Sequence, residues 1–216
     1  MNAQASARSL IEAEQREFVA LLRELTPQQW TLPSGCDSWS VHTVVLHAAI
    51  HTHRGVREAL TGSDQRMTLQ QNDPPAALIE LLASPISTRF GWDTRLQLDE
   101  LVIHQQDVRR PLGIPRAIPA DRLSAVLSSI LTRWVGTLAG IGARKRAKGL
   151  RLVATDIDWS AGAGPEVQGP GETLLMALAG RSVLTTALKG DGLTAFTQRA
   201  SGNPQCVTAL SHDAVT

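Results

Sequence analysis

Two segments of the chain hold residues whose types and spacing suit metal chemistry. "CDSWSVHTVVLHAAIHTH", residues 36–53, places four of the six histidines within eighteen residues. "DELVIHQQDVRR", residues 99–110, sets Glu100 and His104 four residues apart. On a helix that spacing puts both side chains on adjacent turns, pointing the same way, as two ligands on one element require. Projected at 100° per residue, Leu96, Glu100, Leu101, Ile103, His104, Asp107 and Val108 fall within one arc of about 160°, so the stripe that should face the core carries a carboxylate and an imidazole at its middle. An ionised Glu is almost never buried unless it is paired or bound to a metal. A third ligand would come from a neighbouring helix. In the histidine-rich segment Val41, Val44, Val45, Ala48, Ala49 and Thr52 define the inner face, His47 and His51 lie along one edge, and His42 and His53 lie across the other, facing solvent. Helix geometry alone admits His47 or His51. Two His and one Glu would hold Zn²⁺ or a similar divalent ion with a position left open. The plainer reading is an internal Glu–His hydrogen bond. Asp107 either orients a ligand from behind or pairs with Arg109 or Arg110.

Those residues must be positioned by helices. Apolar residues recur at Leu10, Ile11, Phe18, Leu21, Leu22 and Leu25, which predicts a first helix over residues 6–25. Thr26 and Pro27 open a short turn. Ser40 caps a second helix to about Leu60, and a third runs from about Asp93 to Arg109, where "RRPLGIP" stops it. Asp73-Pro74-Pro75 opens a short helix through "AALIELLA". A fourth long helix starts near Asp121 with the stripe Leu123, Val126, Leu127, Ile130, Leu131, Trp134 and Leu138, and closes on "RKRAKG", where the helix dipole favours the cations. Four amphipathic helices predict a bundle over residues 1–149. After Gly149 the pattern changes: "LRLVATDIDWS" alternates, "AGAGP" is a turn, "EVQG" a short returning strand and "GETLLMALAGR" a helix. A small α+β domain over 150–198 and a loose tail over 199–216 complete an α+β chain.

Composition narrows the function classes. The formal charge is +1, from 21 basic and 20 acidic side chains, and aromatic content is 4%, so neither a whole-molecule field nor stacking platforms point to nucleic acid. No run of 18 apolar residues and no secretory signal are present, so no membrane partner is expected and a cytoplasmic location is. Cys36 and Cys206, far apart, are expected as two thiols. "GAGPEVQGPG" meets neither the phosphate-loop nor the dinucleotide spacing.

"WSVHTVVLHAA", "DELVIHQQDVRRPLG" and "LRLVATDIDWSAGAGPEVQGPGETLLMALAGR" together resemble the mycothiol-dependent maleylpyruvate isomerase-like proteins, a branch of the DinB-like superfamily. The resemblance runs to about Leu193. It implies an N-terminal DinB-like four-helix bundle with a divalent metal, usually zinc, and by motif the ligands would be His47, Glu100 and His104. His47 is thereby chosen over His51. The resemblance also implies an arginine near the active centre, which here is Arg181, although an Arg at a helix end ordinarily caps carbonyls.

The function so implied is that of a metal- and mycothiol-dependent isomerase or S-transferase acting on a small electrophile. A coordinated thiol is deprotonated, so a thiolate becomes available at neutral pH without either cysteine of this chain. Addition to a cis-unsaturated diketo acid makes a bond that rotates, and elimination returns the trans isomer. Arg181 would stabilise a substrate carboxylate or enolate. The same open site would serve water in a hydrolase, or the metal would only brace a binding or regulatory module. Zinc, nickel and iron all suit the ligand set, and a homodimer is left open.

Overall fold

A computed structural model describes residues 3–36, 39–53, 72–86, 91–132, 142–181 and 186–200. The chain is mostly helical with one small sheet, the α+β class expected. Contacts divide it into two compact units, Met1–Arg116 and Ala117–Thr216.

The first unit contains α1 (Ala3–Glu24), the short α2 (Pro27–Thr31), α3 (Val41–His53), α4 (Pro75–Ala83) and α5 (Gly91–Arg109). α2 begins as its sequence dictates, with Pro27 in the first turn and a Thr26/Gln29 capping box. At α3, the Ser40 hydroxyl accepts from the Thr43 N–H at 3.2 Å, so the cap expected there is present. α4 opens on Pro74-Pro75, also as expected. α5 packs against α1 and α3, and α4 packs against the same two. Phe18, Leu22, Val44, Val45, Ala48, Leu78, Leu82, Leu101 and Val102 fill the space between them. α5 is the central element: every residue from Gln97 to Val108 is buried. A helix buried on all sides is normally apolar throughout. This one carries Asp99, Glu100, His104, Gln105, Gln106 and Asp107 into the interior.

Two polar ties hold α1 to its neighbours. The Gln15 amide donates to Leu82 O and Ser84 O at the end of α4, at 2.6 and 2.7 Å. Arg116, beyond α5, grips the Glu14 carboxylate of α1 with two bonds of 2.7 and 2.5 Å, in a pair almost closed to solvent.

The second unit contains α6 (Ala120–Thr132), α7 (Ala143–Ala147), β1 (Arg151–Ala154), β2 (Ser160–Gly162), β3 (Glu166–Gly169), α8 (Gly171–Leu178) and α9 (Leu193–Ala200). The strand order is β2-β1-β3. β1 and β2 are antiparallel with Leu152 opposite Ala161, while β1 and β3 are parallel with Leu152 opposite Val167. α8 lies against β1 and β3, and α6 packs on α7 and α8.

Two expectations change here. The unit boundary falls after Arg116 rather than after Gly149, because the helix expected as the fourth of the N-terminal group, α6, buries its apolar face in the second unit. Leu123, Val126, Leu127 and Ile130 of its expected stripe are buried, and Trp134 and Leu138 lie outside the described residues. "LRLVATDIDWS" is not one strand. Asp156 leaves the sheet to accept the Gly171 N–H at 2.7 Å, and the chain re-enters as β2 at Ser160–Gly162, which includes Ala161 and Gly162 of the expected turn. There Gly162 has φ +82°, and a Cβ would press into Leu150 O. Of the cations in "RKRAKG", Arg146 is buried and donates to Leu178 O at 3.0 Å, and burial followed by the nearby Arg181 pushes its guanidinium pKa down. Of the tail expected over 199–216, Arg199 and Ala200 close α9, and the rest, like the part of the second helix beyond His53, lies outside the described residues.

Candidate metal centre

α3 and α5 bring His47, Glu100 and His104 together. Among the described residues their donor atoms lie within 4.8 Å of one another. His47 Nε2 is 3.3 Å and His104 Nε2 3.1 Å from the same carboxylate oxygen, Glu100 Oε2. Despite these approaches that oxygen is buried and takes no aligned hydrogen bond among the described residues. Three donors that converge without pairing fit a cation between them better than they fit a hydrogen-bonded cluster.

The electrostatics follow from burial against contact. Burial alone would raise the Glu100 pKa, but the His104 and His47 rings pressed on it outweigh that and hold it well below the usual carboxylate range. For His104 burial works downward, yet its contacts with Asp107 and Glu100 prevail and lift it to about 9. His47 goes the other way, lowered to about 4 by burial first, with Glu100 opposing and His51 and His104 adding. The two imidazoles are therefore not equivalent.

His104 has its back secured. Its Nδ1 lies 2.9 Å from Asp107 Oδ2, and Asp107 is completely buried. A carboxylate behind an imidazole ligand fixes the ring and its tautomer. His51 stacks on His47, ring centroids 4.1 Å apart and 33° between planes, but stays outside the converging group.

His42 departs from the solvent-facing role expected of it. It is half-buried, with Nε2 2.7 Å from Asp73 O, and it ties α3 to the start of α4. The His53 side chain lies outside the described residues. Cys36 departs too: it is disulfide-bonded rather than a thiol, and Cys206, the other cysteine, lies outside the described residues. Cys36 Sγ, His104 and Asp107 also lie within 4.8 Å of one another, but a disulfide sulfur offers no thiolate to an ion. In the second unit Arg181 is buried and its Nη1 donates to Ala179 O at 2.7 Å, a helix-end cap.

Trp39 is a participant that the sequence does not announce. Its ring centroid lies 5.0 Å from that of His47 at 59° between planes. It belongs to the "WSV" motif, but it stands in a loop, where no periodicity marks such a contact.

Residues 11–87 match the family model described as the mycothiol maleylpyruvate isomerase N-terminal domain. His47 falls inside that segment, and Glu100 and His104 fall beyond it. Among solved structures, the chain is similar to a histidine-to-alanine mutant of the mycothiol-dependent maleylpyruvate isomerase, at 14% identity and a TM-score of 0.54, over 87% of this chain and 92% of that one. The mycothiol-dependent maleylpyruvate isomerase itself follows at 13% identity, a TM-score of 0.50 and the same coverage. No curated protein matches. At such identities the structures speak for the fold alone. No helix among the described residues is long and apolar enough to cross a membrane. The matched N-terminal domain and the shared fold together bear out the resemblance read from the sequence, to the mycothiol-dependent maleylpyruvate isomerase-like family.

Proposed function

We propose that the chain is a metal- and thiol-dependent enzyme, an isomerase or S-transferase that uses mycothiol on a small electrophilic substrate. The observation that carries this reading is the buried Glu100 Oε2, faced by two imidazole nitrogens at 3.3 and 3.1 Å and aligned with neither. His47, Glu100 and His104 would hold a divalent ion, zinc before nickel or iron. When bound, such an ion supplies the positive charge that lets a thiol lose its proton at neutral pH.

The chain's own residues do the rest. Glu100 brings the one formal negative charge to the ligand set. Asp107 holds the His104 ring in one orientation, accepting from Nδ1 so that Nε2 keeps its lone pair for the centre. Arg181 is proposed, from the family resemblance, as the cation for a substrate carboxylate. Neither cysteine is assigned a catalytic part.

The test has separable arms. Purified chain should contain about one divalent ion, and Glu100→Ala should lose it; full retention of the ion by this variant would falsify the site. Adding mycothiol to the Co²⁺-substituted protein should produce a thiolate-to-metal charge-transfer band. An ion without thiol binding would favour a hydrolase or a metal-braced module instead. With thiol binding in hand, turnover of maleylpyruvate against a panel of alkylating electrophiles separates isomerisation from S-transfer.

A further inference from the structure

We infer that Trp39 is a positioning residue for the metal centre, holding the His47 ring by contact where a hydrogen bond ordinarily would. This rests on the metal centre proposed above.

An imidazole ligand usually donates its second ring nitrogen to a carboxylate, a carbonyl or water, and that bond fixes the ring. His104 obeys this through Asp107. His47 does not: its Nδ1 is buried and has no hydrogen-bond partner among the described residues. Something else must stop rotation about its side-chain bonds. The rings against it include Trp39, at 5.0 Å and 59°, and His51, at 4.1 Å and 33°. His51 is on the same helix one turn along and moves with it, and His104, edge-on at 4.9 Å and 83°, is a ligand of the same proposed centre, whereas Trp39 approaches from a segment outside both ligand helices.

Trp39 is itself held firmly. Its N–H donates to Cys36 O and its C=O accepts from the Ser34 N–H, both at 2.9 Å, and Pro33 and Ser40 bridge across the base of the loop. The loop is then fastened to α5, where the Gly35 N–H donates to Asp107 O at 2.7 Å. A Cβ at Gly35 would stand 3.0 Å from Asp107 Oδ1 and 3.1 Å from Asp107 Cα, tighter than ordinary contact, so a side chain there would press on Asp107. One loop therefore touches the residue that orients His104 and supplies the ring that orients His47. Trp30, at 4% exposure, lies in the core with its ring 6.1 Å from that of His42, away from the converging group, whereas Trp39 is half-buried and its ring lies 5.0 Å from that of the proposed ligand His47.

The experiment is a competition titration of Zn²⁺ against a chromophoric chelator, with Co²⁺ d–d spectra, on the full chain and three variants. Trp39→Phe should keep the affinity within about two-fold, because an aromatic face remains. Trp39→Leu, which keeps bulk without a ring, should weaken it about ten-fold and broaden or shift the d–d bands, and Gly35→Ala should weaken it comparably. Circular dichroism confirms that each variant is folded. Wild-type affinity and an unchanged spectrum in folded Trp39→Leu would overturn the role, as would equal losses in the Phe and Leu variants. A wild-type chain that takes up no ion overturns the metal centre and this inference together. Normal uptake by the wild type and by every variant overturns only the inference.

Discussion

At the residue scale the centre is built from an asymmetry between two imidazoles. His104 is held by a buried carboxylate through its far nitrogen, and His47 is held by rings. Removing the carboxylate should therefore loosen one ligand and leave the other in place. Asp107→Ala is expected to lower divalent-metal affinity about 10- to 100-fold without abolishing it, and Asp107→Asn, whose amide oxygen still accepts from Nδ1, should lose less. A chelator competition on both variants checks the order. An Asp107→Ala chain with undiminished affinity would mean that His104 is oriented by its helix alone. The part of this centre that lies on one helix is legible in sequence, since Glu100 and His104 share a face by spacing alone. What depends on a second element is not. Spacing leaves His47 and His51 equivalent, because both sit on one edge of α3; the family motif chooses His47, and the packing of α3 on α5 brings its ring nitrogen beside Glu100 and His104. His42 hides its role for the same reason: its partner, Asp73 O, is a backbone atom 31 residues away, and no pattern in α3 announces it.

At the element scale the two helices that carry the ligands are secured at different points. α3 starts at the Ser40 cap, so its first turn sets where His47 lies along the helix. Ser40→Ala should cost about 1 kcal/mol of unfolding free energy, the ordinary value of such a cap, read as a shift in the urea midpoint. α5 is secured from beyond its end. Arg116 holds Glu14 of α1 in a pair with side chains 6% and 0% exposed, so breaking it strands a buried charge. Arg116→Ala is expected to cost about 3–5 kcal/mol, whereas replacing both partners with apolar residues of similar volume should cost much less. Equal losses in the single and double variants would show that the pair itself, and not the stranded charge, sets the stability. Helix starts are legible here because their signals are local: Ser40 before α3, Pro74-Pro75 before α4, and Thr26-Pro27 before α2. β2 is not, because "SAG" forms a strand only once Asp156 has turned away to meet the α8 N-terminus, and that partner comes fifteen residues later.

At the scale of the whole molecule, the division after Arg116 places every proposed metal ligand, together with Asp107 and Trp39, in one unit. That unit has its own core, made by α1, α3, α4 and α5, and its own buried ion pair. Sequence alone does not assign α6 to a unit, since an apolar stripe says that a helix must pack but not against what. Its commitments are to the second unit: Leu123, Val126, Leu127 and Ile130 are buried, and the Trp159 indole N–H donates to Ser128 Oγ at 3.0 Å. A fragment ending at Gly149 would therefore carry α6 without the α8 surface that covers it, and one ending at Arg116 would not. The expected outcome is that residues 1–116 are helical by circular dichroism, unfold cooperatively and take up about one divalent ion, while residues 1–149 aggregate or bind a dye that reports exposed apolar surface. A 1–149 fragment that is monomeric, cooperative and markedly more stable than 1–116 would instead return α6 to the metal-binding unit.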